Sequence, residues 1–178
     1  DFTAGDGAAH ISLFGDSTLA GVRWYADYGA LERYNFVLDA ESCRRTIELS
    51  CISREGYRSR NVIAAMQSHS GELGDVVVIM SGYNDPIWTI DEAIEGVLAE
   101  ARRQDVDHVI WLTLRIDLGV DYSDPQHQSS AATFHEYNDQ LIEAAHDSDG
   151  FLQVADWASV STHASGWFTP DGVHLTPS

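Results

Sequence analysis

The chain has 178 residues, 44% of them hydrophobic, enough for one globular domain with a full core and too few for a second of ordinary size. Ten basic side chains against 28 acidic ones leave a net charge of -18, a field that repels phosphate backbones and anionic lipid surfaces and excludes nucleic-acid binding. Every basic residue is arginine, so chemistries that need a lysine amine (Schiff-base catalysis, Ser-Lys hydrolysis, P-loop nucleotide binding) are excluded too. No apolar run approaches the roughly 20 residues of a membrane span, so no membrane insertion is expected.

Residues 9–14 form the first apolar run of strand length, and Gly15-Asp16-Ser17-Thr18 leads from it into a helix with Ser17 on the first turn. Unpaired N–H groups and the helix dipole favour negative charge there, which suits a nucleophile. Asp and Ser are also preferred caps, so the segment alone fits either role. A second strand is expected at residues 36–38. Cys43 and Cys51 follow, the only two cysteines, with no His-x-x-x-His or Cys-x-x-Cys pair to complete a metal site. A disulfide is the better reading than two buried thiols; it would contribute about 2–3 kcal/mol and implies an oxidising compartment, hence secretion or an extracellular domain.

Val76-Val77-Val78-Ile79-Met80 and residues 109–114 are continuous apolar runs, the pattern of parallel strands covered on both faces. Between them Ile90, Ile94, Val97, Leu98 and Ala101 share one helical face, and further on Phe134, Tyr137, Leu141, Ile142 and Ala145 share another. Residues 117–130 are polar, contain Gly and Pro, and are expected to form a long surface loop; residues 151–155 give the last strand. Alternating strands and helices joined by right-handed crossovers define an α/β fold, a three-layer α/β/α sandwich with a central parallel sheet.

In such a sheet ligands bind beyond the carboxyl ends of the strands. Besides Ser17, two exits carry chemistry. Asn84, in Ser81-Gly82-Tyr83-Asn84-Asp85-Pro86, offers an amide to polarise a carbonyl, or closes an Asx-turn. Asp171, three residues before His174, can fix its tautomer and stabilise the charged ring, or belong to a Pro-Asp-Gly turn that merely precedes a histidine. Tyr83, Trp88, Arg115 and the 117–130 loop leave strand ends on the same side and are expected to border a substrate pocket, with packing or a surface ion pair as the alternative for Trp88 and Arg115. A guanidinium there would favour a substrate bearing a carboxylate, sulfate or phosphate.

Taken together, four ordered blocks resemble the SGNH hydrolases, the GDSL esterase and lipase superfamily: Gly15-Asp16-Ser17, Gly56 within Arg54-Glu55-Gly56-Tyr57, Gly82-Tyr83-Asn84-Asp85, and Asp171-Gly172-Val173-His174. The resemblance spans nearly the whole chain and implies a flavodoxin-like sandwich. It implies Ser17 as nucleophile, His174 as base, Asp171 as its orienting carboxylate, and an oxyanion hole made by the Ser17 and Gly56 N–H groups and the Asn84 side chain. Asn138 resembles a structural asparagine of the penultimate helix. Thr18 stands where the family name has Leu, and the sequence stops four residues after His174, where the family usually continues into a closing helix.

The expected function is hydrolysis of carboxylic esters, acyl or acetyl, on a small molecule or carbohydrate, through a Ser-His-Asp triad and an acyl-enzyme, with no metal or other cofactor. The same triad transferring the acyl group to a sugar or cell-envelope acceptor is the alternative. A metallophosphoesterase lacks its His-rich ligand set here, and a non-catalytic binding domain on the same scaffold is the remaining possibility.

Overall fold

The computed structural model of the protein describes residues 8–25, 28–164 and 166–177. Strand β1 (His10–Gly15) runs into α1 (Ser17–Tyr25), and β2 (Asn35–Ala40) is followed after a long loop by α2 (Val62–Ser68). Strand β3 (Val76–Met80) leads through a 3-10 turn (Ile87–Thr89) to α3 (Ile90–Arg103), β4 (His108–Leu112) to α4 (Pro125–His146), and β5 (Leu152–Ala155) to α5 (Trp157–Thr162). The strands form one parallel sheet in the order β2-β1-β3-β4-β5. Parallel neighbours require crossovers, and here helices supply them on both faces, giving the expected α/β/α sandwich.

The two-residue period of the strands sorts their side chains into two cores. Phe14, Val77 and Ile79 pack with Val62, Met66, Ile94, Trp111 and Leu141 under α2, α3 and α4. Leu13, Val78 and Met80 pack with Leu19, Ala20, Ala40 and Trp157 under α1 and α5. Each fully buried large aliphatic or Phe side chain contributes roughly 1.5–3 kcal/mol. The predicted stripe of α3 is buried throughout. On α4, Tyr137 and Leu141 are buried and Phe134 and Ala145 pack against the core, whereas Ile142 is 42% exposed. It lies about 100° around the helix from Leu141, outside the stripe.

The ends of β1, β2 and β5 differ from expectation by one or two residues, and two further boundaries differ for reasons the structure shows. The predicted loop over 117–130 ends early, because α4 begins at Pro125 with the Asp124 carboxylate accepting the Gln126 N–H at 2.8 Å. Gln126, His127, Gln128, Ser129 and Ser130 carry no apolar period to advertise a helix, although an Asp-Pro start does. Strand β4 ends at Leu112 rather than 114 because the buried Asn138 side chain takes both backbone groups of Leu114, accepting from its N–H (2.7 Å) and donating to its carbonyl (2.8 Å). Asn138 is thus the structural residue the sequence led us to expect. Cys43 and Cys51 are joined in a disulfide, their Cα atoms 5.5 Å apart. No helix among the described residues is long and apolar enough to cross a membrane.

After β1 the chain moves to β2 on one side and returns to β3 on the other, so a crevice opens beyond the carboxyl ends of β1 and β3. Gly15 lets α1 close against it: a Cβ there would stand 2.6 Å from the Met80 carbonyl oxygen and 2.7 Å from Leu19 Cβ.

Candidate active site

The turn from β1 into α1 is fixed by the backbone. The Asp16 N–H donates to the Met80 carbonyl (3.0 Å), and the Asp16 carbonyl already accepts the first helical bond from Ala20 (2.9 Å). Its carboxylate Oδ1 accepts from the Thr18 N–H (2.9 Å) and hydroxyl (2.7 Å). Ser17 is thereby held at the first position of α1, over the crevice. Asp16 is fully buried and its Oδ2 has no partner among the described residues. Burial pushes its carboxyl up from 3.8 to about 6, against the lowering effect of the Thr18 bonds.

A second segment reaches Ser17 from the C-terminal side. Thr169 and Gly172 close a tight turn (Gly172 N–H to Thr169 carbonyl, 2.9 Å), and an antiparallel bridge pairs Phe168 with Leu175. Gly172 is required twice: its φ is +70°, and a Cβ would overlap the Leu118 carbonyl oxygen at 1.9 Å. His174 Nε2 lies 2.8 Å from Ser17 Oγ, and His174 Nδ1 lies 2.7 Å from Asp171 Oδ2. Asp171 Oδ1 accepts from the Thr169 hydroxyl and the backbone N–H groups of Val173 and His174 at 2.8–3.0 Å. Partial burial raises this carboxyl, but the bonds from the His174 ring, the two N–H groups and Thr169 outweigh it and hold Asp171 well below the usual carboxylate range. An ionised Asp171 can only accept, so Nδ1 carries the ring proton and leaves Nε2 to accept from the serine hydroxyl.

The third segment leaves β3. Asn84 Nδ2 donates to the Arg44 carbonyl at 3.1 Å, which uses one of its two amide hydrogens and leaves the other. Asp85 is buried and accepts from the Thr46 N–H (2.8 Å) and hydroxyl (2.6 Å), so Asn84 and Asp85 together bind the loop that follows β2. Burial raises the Asp85 carboxyl, opposed by these Thr46 bonds.

Of the sequence-predicted residues, Ser17, Asp171 and His174 come together in one hydrogen-bonded row. Gly56 does not join them: it is exposed, and its N–H donates to the Ser53 carbonyl at 3.0 Å, closing a turn instead of pointing at a ligand. Its φ of +87° explains the glycine by that turn. The three proposed substrate contacts also lie elsewhere. Tyr83 is edge-on to Phe134 and its hydroxyl accepts the Arg115 N–H. Trp88 is 82% exposed in the 3-10 turn. Arg115 is buried, with Nη1 donating to the Gly172 carbonyl at 2.6 Å and its guanidinium 4.1 Å from the centre of the Phe168 ring, so it braces the histidine loop.

The cavity beside Ser17 has a volume of about 430 Å³, and its lining includes Trp24, Tyr25, Ser42, Arg54 and Leu175. A larger depression of about 510 Å³ between Ile116, Tyr122 and Asp156 contains none of Ser17, Asp171 and His174. Sequence reasoning missed these walls, yet three on α1 were accessible: Gly21, Trp24 and Tyr25 lie four, seven and eight residues after Ser17, on the same helical face. Arg54 stands 5.0 Å over the Trp24 ring. Among the described residues no three His, Cys, Asp or Glu side chains are grouped to hold a metal ion.

A hydroxyl at a helix start, an imidazole bonded to it and a carboxylate behind the imidazole lie together at the switch point of a parallel sheet on an α/β sandwich. The sequence matches the GDSL-like Lipase/Acylhydrolase family over residues 13–178, and the chain belongs to that family, among enzymes that hydrolyse carboxylic esters. Solved structures share the fold at low identity. A protein of the G-D-S-L family from Desulfitobacterium hafniense is 14% identical with a TM-score of 0.65, covering 95% of this chain and 91% of that one. A protein from Slackia heliotrinireducens grouped with the SGNH hydrolases is 17% identical, TM-score 0.62, covering 96% and 92%. A variant of an acetyl xylan esterase from Geobacillus stearothermophilus is 13% identical, TM-score 0.55, covering 98% and 89%. None of the curated proteins matches the chain in sequence.

Proposed function

We propose that the chain acts, as one hydrolase domain, on short-acyl carboxylic esters through Ser17, His174 and Asp171. The observation that carries this is the row Ser17 Oγ, His174 Nε2, His174 Nδ1 and Asp171 Oδ2, with successive bonds of 2.8 and 2.7 Å. Ser17 Oγ attacks the acyl carbon while its proton passes to His174 Nε2. The charged ring is stabilised by Asp171, and the oxyanion is received by the Ser17 N–H and the free amide hydrogen of Asn84. Collapse expels the alkoxide, which takes the proton from Nε2, and leaves an acyl-Ser17. Water then repeats the sequence, giving the acid and free Ser17.

The cavity supports a modest substrate, since about 430 Å³ lies at the small end of ligand sites. Flat faces at Trp24 and Tyr25 beside the polar Ser42 and Arg54 suit a short acyl group on a polar alcohol such as a sugar, the substrate class named for the Geobacillus relative. The disulfide favours an oxidising, extracytoplasmic setting. The test is hydrolysis of p-nitrophenyl acetate and of an acetylated sugar by wild type, Ser17→Ala and His174→Ala. Both variants should lose at least about a thousandfold in kcat with unchanged melting, and residual activity above about a tenth of wild type would refute the assignment. A sugar acceptor that captured the acyl group in preference to water would instead show acyl transfer by the same residues.

A further inference from the structure

The loop after β2 carries a fixed positive charge into the Ser17 cavity. Ile52 and Arg58 form an antiparallel bridge. Between them the Ser53 N–H donates to the Tyr57 carbonyl (2.7 Å) and the Gly56 N–H to the Ser53 carbonyl (3.0 Å), a tight hairpin with Arg54 near its tip. Ser42 Oγ fixes this tip by accepting the Arg54 N–H (2.6 Å) and donating to Glu55 (3.0 Å). Arg54 thus joins the cavity wall beside Trp24, its guanidinium 5.0 Å from the centre of the indole. A cation held over a ring is positioned by its charge, which leaves its N–H donors free.

The carboxylates near Arg54 are engaged elsewhere. Glu55 accepts from Arg23 (3.5 Å), Trp24 Nε1 (3.0 Å) and Ser42, Glu41 accepts from Arg23 (3.1 Å), and Asp171 accepts from His174. Among the described residues no carboxylate pairs with the Arg54 guanidinium, whereas Arg23, Arg44 and Arg115 donate to carboxylates or carbonyls. In a chain of 28 acidic and ten basic residues, an arginine without a carboxylate in the nucleophile's cavity leaves room for an anion from outside. We infer that Arg54 selects the substrate by binding an anionic group, carboxylate or sulfate, on the alcohol half of the ester, as on an acidic sugar. The inference rests on Ser17 acting on short-acyl esters. Trp24 lies seven residues after Ser17, about 10 Å along α1 at about 1.5 Å per residue. An acetyl group on Ser17 does not span to a guanidinium over that ring, so the charge belongs to the alcohol. The net charge of -18 repels such a substrate from afar, but that field is screened over about 8 Å at physiological salt, and Arg54 acts at contact.

The test measures kcat and KM on acetates of methyl glucoside, methyl glucuronoside and a sulfated methyl glucoside, esterified at the same hydroxyl. The proteins are wild type, Arg54→Lys, Arg54→Gln and Arg54→Glu, with a thermal melt of each. Within one protein, the ratio of kcat/KM for an anionic acetate to that for the neutral one cancels any effect of the substitution on the fold or on the ester chemistry. Wild type should favour an anionic acetate about tenfold, Arg54→Gln should bring the ratio to about one, and Arg54→Glu should take it below one. The loss should fall in KM, because a contact remote from the reacting carbonyl is made equally in the ground and transition states. Arg54→Lys keeps the charge without the planar fork and should retain part of the preference. Preference for the glucuronoside assigns a carboxylate, and preference for the sulfated acetate assigns a sulfate. A wild-type ratio at or below one for both anionic acetates, or a ratio that Arg54→Gln leaves as it was, would overturn the inference and make Arg54 a brace on Trp24. Turnover of p-nitrophenyl acetate but of none of the sugar acetates would also count against it. No turnover of any ester by wild type, or turnover that survives Ser17→Ala, would instead overturn the reading of Ser17.

Discussion

Replacing Asp16 with asparagine should change how stability depends on pH, by an amount the burial of this carboxyl sets. Folding raises its pKa from 3.8 to about 6, so the native state binds the proton more tightly than the unfolded chain. The charged form is penalised by the full interval above the native value, about 3 kcal/mol at 1.4 kcal/mol per pKa unit, and the penalty fades as pH falls towards the unfolded value. Integrated between about pH 7.5 and about pH 4.5, wild type regains about 2 kcal/mol that the variant, having no proton to bind, cannot. Asparagine keeps an oxygen for the two Thr18 bonds but turns an amide toward the unpartnered Oδ2 position, a pH-independent cost of about 1–3 kcal/mol. Urea unfolding of both proteins at several pH values separates the two effects. The difference in unfolding free energy should shift by about 2 kcal/mol in favour of wild type on acidification. Parallel curves across that range would show that Asp16 does not titrate between its unfolded and native values as described.

Other outcomes follow from single contacts. Asn84→Ala should lower kcat about a hundredfold while Ser17 remains reactive, since it removes one oxyanion donor; unchanged turnover would make Asn84 a loop anchor only. Arg115→Ala should lose about 2–3 kcal/mol of stability in a denaturant melt and lower kcat, because Gly172 and Phe168 lose the brace that holds the histidine loop. Asn138→Leu should cost about 2–4 kcal/mol in the same assay by stranding both backbone groups of Leu114. An Asn138→Leu protein as stable as wild type would mean those groups find other partners.

The fold was legible because β3 and β4 are apolar without interruption and α3 keeps its stripe, patterns set by burial on two faces and on one. That Ser17, Asp171 and His174 meet was legible from the strand exits and the three-residue Asp-His spacing only together with the family resemblance, since each segment alone also fits a cap or a turn. What misled was long-range. Whether the Gly56 N–H is free depends on a turn closed to Ser53, and Arg115 was read as a ligand-binding cation although Gly172 and Phe168, more than fifty residues away, occupy it. The pocket walls on α1 needed only the helical period of Ser17, Gly21, Trp24 and Tyr25, whereas Ser42 and Arg54 depend on how the loop after β2 folds back.

The central claim is that Ser17 is the nucleophile and His174 its base. Reaction with a fluorophosphonate followed by peptide mass mapping tests it most directly. One adduct per chain is expected, on Ser17, absent in Ser17→Ala and strongly slowed in His174→Ala but not in His163→Ala. An adduct on another serine, or labelling of Ser17 that survives His174→Ala at the wild-type rate, would contradict it.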